Sequence, residues 1–209
     1  MWCGDVATFH WRWLVDNIKR GAGKRQQIVD KATELFSAHG FHPVGVDRII
    51  DESNVARMTM YRHFAGKNDL IGEVLGQRFT FIVDSISQQL APMEDADARI
   101  KGIFDWYGAW FRSPEFAGCL FERALAEFGT AYPGVSEVAI GYRVKLFGWF
   151  EELLLEIVPD KTAKQLAGVF VMLLDGATID ARAFNDPSAA ERAWEAAELL
   201  LNQAKNAAR

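Results

Sequence analysis

The stretch SNVARMTMYRHFAGKNDL, residues 53–70, concentrates the side chains of this protein that can do chemistry. Arg57, Thr59, Tyr61, Arg62, His63 and Lys67 fall within about a dozen positions, with apolar residues between them at helical spacing. Arginine can reach base edges or phosphates, a threonine hydroxyl can donate to a phosphate or touch a thymine methyl, and Met58 can make apolar contact. The Tyr61 hydroxyl, at the end of a rigid ring, suits a phosphate oxygen, whereas His63 reads as a structural hydrogen-bonding residue. Such a set docks on a polyanion and points to no reaction. Glu122, Glu127, Glu151 and Glu152 read as helix-surface charges, because no nucleophile–base arrangement or glycine-rich phosphate loop accompanies them. His39 and His42 flank Gly40 without a third ligand nearby, so neither a metal site, a cofactor nor a catalytic residue is expected.

These residues must be held by helices. Residues 26–39 place Ile28, Ala32, Leu35 and Phe36 on one face, and Gly40 follows as a stop. Residues 46–53 form a short helix with Val46, Ile49 and Ile50 inward, and Asn54 tolerates the left-handed backbone of a sharp turn. After Asn54, Val55 and Ala56 the next helix spans 57–63. These are the proportions of a helix-turn-helix, whose second helix lies in the major groove of double-stranded DNA. Val46, Ile49, Ile50, Val55 and Phe64 then hold the small domain together. A further helix starts near Lys67, with Gly66 as cap and Asp69 in its first turn, and runs to about Leu90. At that start the Lys67 charge and free backbone N–H groups can serve one phosphate together.

Charge patterning agrees. The 209 residues carry a formal charge of -5, yet residues 17–78 sum to +3 and residues 79–209 to -7. No apolar run is long enough to span a membrane, and the aromatic first residues are interrupted by Asp5, His10, Arg12 and Asp16, unlike a secretory signal. With only Cys3 and Cys119, the chain reads as a cytoplasmic protein with reduced thiols.

Beyond Pro92 five more helices are expected, at 96–112, 115–129, 135–157, 160–184 and 187–205, and no period-two alternation interrupts them, so the fold class is all-α. The helix at 160–184 is apolar all round and that at 187–205 is amphipathic. Such a pair can complete a four-helix bundle with a symmetry mate, giving a homodimer, or pack within the monomer alone. The second region is rich in large rings. A pocket for a mostly apolar or aromatic small molecule is expected from parts of 100–125, 143–150 and 166–176, lined by Trp106, Trp110, Phe121, Phe147 and Phe170. Arg123, Arg143 and Asp175 are its candidate polar selectors, unless they are simply paired in the interface.

Residues 26–75, with IVDKATELFSAHGF and VDRIIDESNVARMTMYRHFAGKNDLIGEVL, closely resemble the DNA-binding domain of TetR-family transcriptional regulators. The order of elements carries the resemblance: a helix ending in Gly-Phe, the Ile-Ile helix, Thr-x-Tyr-x-His-Phe, then Lys-x-x-Leu. FAGCLFERALAEF also looks familiar from that family. The resemblance implies an N-terminal three-helix helix-turn-helix domain followed by a helical ligand-binding and dimerisation domain. It further implies a homodimeric regulator, usually a repressor, released from its operator by a small-molecule effector. Thr59, Tyr61, His63 and Lys67 match the family's backbone-contacting or domain-shaping sites, and Arg57, Met58 and Arg62 its specificity-setting positions. Gly45 stands where the family often has Ser or Thr, which limits a contact there to backbone. On this reading residues 1–24 are an extension, 25–70 the DNA-binding domain and 71–209 the ligand-binding and dimerisation domain. Lys19, Arg20, Lys24 and Arg25 can form a basic arm for the minor groove, or belong to a disordered or partly packed extension. The alternative reading is a helical small-molecule-binding protein or enzyme with a vestigial helix-turn-helix.

Overall fold

The computed structural model describes residues 23–207, and every regular element among them is helical. In chain order they are α1 (Lys24–His39), α2 (Val46–Ser53), α3 (Arg57–His63), α4 (Lys67–Leu90), α5 (Ala96–Phe111), α6 (Leu120–Phe128), α7 (Pro133–Leu155), α8 (Asp160–Phe184) and α9 (Ala189–Ala207). None of them is long and apolar enough to cross a membrane. The chain divides into two compact units. One ends at Arg78 and also takes in Leu120–Ala139; the other comprises Phe79–Cys119 and the chain from Ile140 onward. The sequence places a boundary at residue 70 and assigns everything after it to the second domain. The difference lies in residues 71–78 of α4, which stay with the first unit, and in α6 and the start of α7, which join it through contacts far apart in sequence.

In the first unit α1 buries Ile28, Val29, Ala32, Leu35 and Phe36, and packs on α2 and α3. The stripe in α2 is Ile49 and Ile50, with Val46 only half-buried. Asn54 ends α2 at φ 52 and ψ 48, the left-handed conformation its side chain tolerates. Gln27 of α1 donates to the Ser53 carbonyl at 2.9 Å, fixing the end of α2. Arg25 pairs with Glu73 of α4 at 2.7 Å and lies over the Phe64 ring. Lys24 and Arg25 are therefore the first turn of α1 and no part of a basic arm, while Lys19 and Arg20 lie outside the described residues.

Two boundaries differ from expectation for local reasons. The helix expected at 115–129 starts at Leu120, because Gly118, at φ +91, cannot continue a right-handed helix. The helix expected from residue 135 starts at Pro133, since proline is well suited to a first helical position.

In the second unit α8 packs against α9 and α5. Phe104, Phe150 and Phe170 form a ring cluster with centroids 5.5–5.9 Å apart, and Trp194 of α9 lies 5.5 Å from Phe104. The Tyr107 and Tyr142 hydroxyls hydrogen-bond to each other inside this unit, and burial pushes the Tyr107 phenol well above its ordinary pKa. On its outer side α8 exposes Met172 (61%) and Ile179 (59%). With Val169, Gly176 and Ala183 they form a neutral stripe at alternating spacings of three and four, the pattern of a helix seam.

Candidate nucleic-acid interface

The exposed face of α3 is built from the inside out. Met60 is fully buried and Phe64, just past the end of α3, nearly so; they fix the helix to the unit. A helix seven residues long that anchors one side must present the other. Arg57, Met58, Tyr61, Arg62 and His63 are all exposed, Met58 to 74%, and Thr59 is half-buried. The His63 ring lies 6.4 Å from that of Phe64.

Arg57 is engaged. Its Nη2 sits 2.7 Å from Oδ1 of Asp47 in the first turn of α2, so this ion pair bridges the two helices of the motif. Both partners are solvent-exposed, which makes the pair weak and open to exchange for a phosphate or a base. Lys67 is half-buried, and its Nζ donates to the His42 carbonyl at 3.3 Å. Desolvation pulls its pKa down, and the nearby Glu127 carboxylate opposes the shift. Gly45 is the N-cap of α2, with no side-chain cap and nothing within 4 Å of the position a Cβ would take. His39 and His42 are committed to Arg48 and to the Glu127 carbonyl, each at 3.0 Å. Among the described residues no three metal-ligating side chains gather.

Two residues at this face escaped sequence reasoning. Asp47 gave no sign that it would hold Arg57. Glu127 is no mere helix-surface charge: its carboxylate accepts the Phe41 and His42 amides at 3.0 and 2.7 Å. No local pattern could reveal a bond spanning 86 residues.

The eight expected pocket residues do not share a unit. Phe121 and Arg123 belong to the first; Trp106, Trp110, Arg143, Phe147, Phe170 and Asp175 belong to the second. Arg123 is committed to α1, donating to the Phe36 and Ser37 carbonyls at 2.7 and 3.0 Å. Arg143 and Asp175 pair at 2.6 Å. The Trp106 and Trp110 rings lie 5.8 Å apart. Phe170 is fully buried in the ring cluster, and Phe147 is half-buried.

A family model described as "Bacterial regulatory proteins, tetR family" matches residues 28–74, the segment that builds α1 to α3 and the start of α4. The chain is similar to SCO4454, a TetR-family transcriptional regulator from Streptomyces coelicolor, at 32% identity and a TM-score of 0.81, covering 87% of this chain and 96% of that one. It is 31% identical over 78 residues to the HTH-type transcriptional activator FasR of Mycolicibacterium smegmatis, or 37% of this chain. It is also 27% identical over 129 residues, 61% of its length, to the HTH-type transcriptional repressor DhaR of Mycobacterium sp.. The aligned chain spans 36% of FasR and 60% of DhaR, less than two thirds of either.

Proposed function

The chain belongs to the TetR family of transcriptional regulators, DNA-binding proteins rather than enzymes, and from that premise we propose that it is a homodimeric repressor of a palindromic operator. One observation carries this reading. The face of α3 opposite Met60 sets Arg57, Met58, Tyr61 and Arg62 in solvent on one short rod. Two such rods presented about 34–36 Å apart, or a multiple of that, enter successive major grooves of one duplex. Arg57, Met58 and Arg62 read bases, while Thr59, Tyr61, Lys67 and the Gly45 backbone position the protein on phosphates and His63 shapes the end of the rod.

The dimer forms through α8 and α9, which leave Met172, Ile179 and Leu199 exposed to solvent. Repression is favoured because the resemblance to DhaR extends past the DNA-binding segment and over most of this chain. The effector is a mostly apolar or aromatic small molecule held among the rings of the second unit, near Trp106, Trp110, Phe147 and Phe170. Arg143 and Asp175, paired with each other, select its polar group. The helix α4 contributes to both units, so an effector that bends or turns it changes the spacing of the two reading rods. Such a shift requires different affinity for the two states and is reciprocal, typically ~1–3 kcal/mol.

Selection of bound duplexes from a random pool, followed by titration of the winner, tests the reading. A two-fold symmetric consensus supports it. A protein that binds a small molecule yet enriches no sequence instead has a vestigial helix-turn-helix.

A further inference from the structure

We propose that Arg123 and Glu127 of α6 are positioning residues for DNA binding: they clamp the loop between α1 and α2 and so set where Lys67 and the start of α2 meet the duplex. The inference rests on the regulator reading above and adds to it a pair of residues distant in sequence from the reading helix.

The two side chains are four apart on α6 and share one face. Each answers a need left by the end of α1. The last carbonyls of any helix have no partner within it, and a cation there also meets the negative end of the helix dipole. Arg123 supplies that cation, donating to the Ser37 carbonyl and to the Phe36 carbonyl, which also accepts the Gly40 amide at 2.9 Å. Beyond Gly40, whose amide bonds back to Phe36, the chain turns, and the next two amides point away from the helix. The Glu127 carboxylate accepts both, one on each oxygen, from Phe41 and His42. Its backbone carbonyl accepts from His42 Nε2 at 3.0 Å, which fixes the proton on that nitrogen. Charge-assisted bonds of this kind are roughly twice as strong as neutral ones.

Packing and backbone support the same geometry. Phe41 is fully buried between Phe36 and Phe128, with centroids 5.0 and 5.6 Å away, and the His42 ring lies 4.8 Å from Phe128. Gly40 adopts φ +89, and a Cβ there would sit 2.7 Å from the Glu127 carboxylate oxygen. The approach of Glu127 therefore depends on a residue without a side chain.

The consequence runs toward DNA. The His42 carbonyl accepts Lys67 Nζ, and three residues later Gly45 opens α2. Releasing the loop leaves these groups to be ordered when DNA binds, and that entropy is lost from the affinity.

The sign of the effect separates this role from simple charge. Removing a carboxylate beside Lys67 makes the surface less negative, so long-range electrostatics alone predicts tighter DNA binding. The clamp predicts weaker binding. The test uses the full chain and a duplex that the wild-type protein selects from a random pool. Glu127→Ala should raise Kd about tenfold, with Glu127→Gln between it and wild type because an amide oxygen still accepts. Arg123→Ala should weaken binding too. Melting temperature is measured alongside; if the alanine variant does not fold, the near-isosteric Glu127→Gln carries the test. Equal or tighter binding by a folded Glu127→Gln overturns the proposal. Hydrogen exchange gives a readout without DNA: in Glu127→Gln the Phe41 and His42 amides should exchange faster while those of α8 do not change. Unchanged exchange also overturns the clamp. A wild-type protein that selects no duplex refutes the regulator reading instead, and the exchange result still reports whether the loop is held.

Discussion

Two helices of this protein show solvent an exposed methionine, and they do so in different company. On α3, Met58 stands among Arg57, Tyr61 and Arg62; on α8, Met172 stands in a stripe of Val169, Gly176, Ile179 and Ala183 that carries no charge. An apolar side chain among cations fits a polyanion that also offers methyl groups and base edges. An apolar stripe with small residues at seam spacing fits another helix, which in the proposed dimer belongs to a second copy. Exposure alone does not distinguish the two surfaces. The neighbouring charges do.

The largest expected effect breaks the neutral face. Ile179→Glu places like charges opposite each other across a two-fold seam, and sedimentation should report monomers. Because each freed protomer then reads one half-site, operator affinity should fall by about 10²–10⁴. A dimeric Ile179→Glu would show that α8 is not the seam. On the charged face two substitutions should part company. Arg62→Ala should cost about 1–3 kcal/mol against the preferred sequence and flatten the preference at one base pair per half-site. Lys67→Ala should weaken binding to all sequences alike and lower the slope of log K against log salt by about one per protomer. A smaller gain is expected from Asp47→Asn, which releases Arg57 from its 2.7 Å partner. Affinity should rise a few-fold at low salt and the gain should fade as salt screens it; a loss would mean that the pair holds Arg57 in its reading position.

The smallest effect concerns the stability of α9. The Asp186 carboxylate accepts from the Ser188 hydroxyl and amide and from Arg192, and these bonds lower its pKa from 3.8 to about 2. A carboxyl depressed in the folded state adds stability that is full above 3.8 and is lost as pH falls through about 2. Asp186→Ala should therefore melt below wild type near neutral pH, and the gap should close across that acid window. A gap that persists at pH 2 would assign the loss to packing.

Of the first unit, the reading helix was the legible part. Ile49 and Ile50, the turn residue Asn54 and the stretch from Arg57 to His63 lie within two dozen positions, and their spacing encodes geometry directly. The role of α6 was hidden. FERALAEF reads as an amphipathic helix wherever it docks, and its Glu127 looks like any surface carboxylate until the chain brings it to Gly40. The pocket expectation met the same limit: ring content marks a second core but not which rings share it, and Phe121 and Arg123 proved to belong to the first unit.

By itself the sequence determined the helices, the turn of the DNA-reading motif and the sign of the charge it presents, because each follows from residues a few positions apart. Tertiary structure alone decided that Arg57 rests on Asp47, that Lys67 reaches the His42 carbonyl and that α6 completes the DNA-binding unit. The reason is physical: a buried amide or a stranded carbonyl takes whichever partner folding brings near, and no spacing along the chain records the choice.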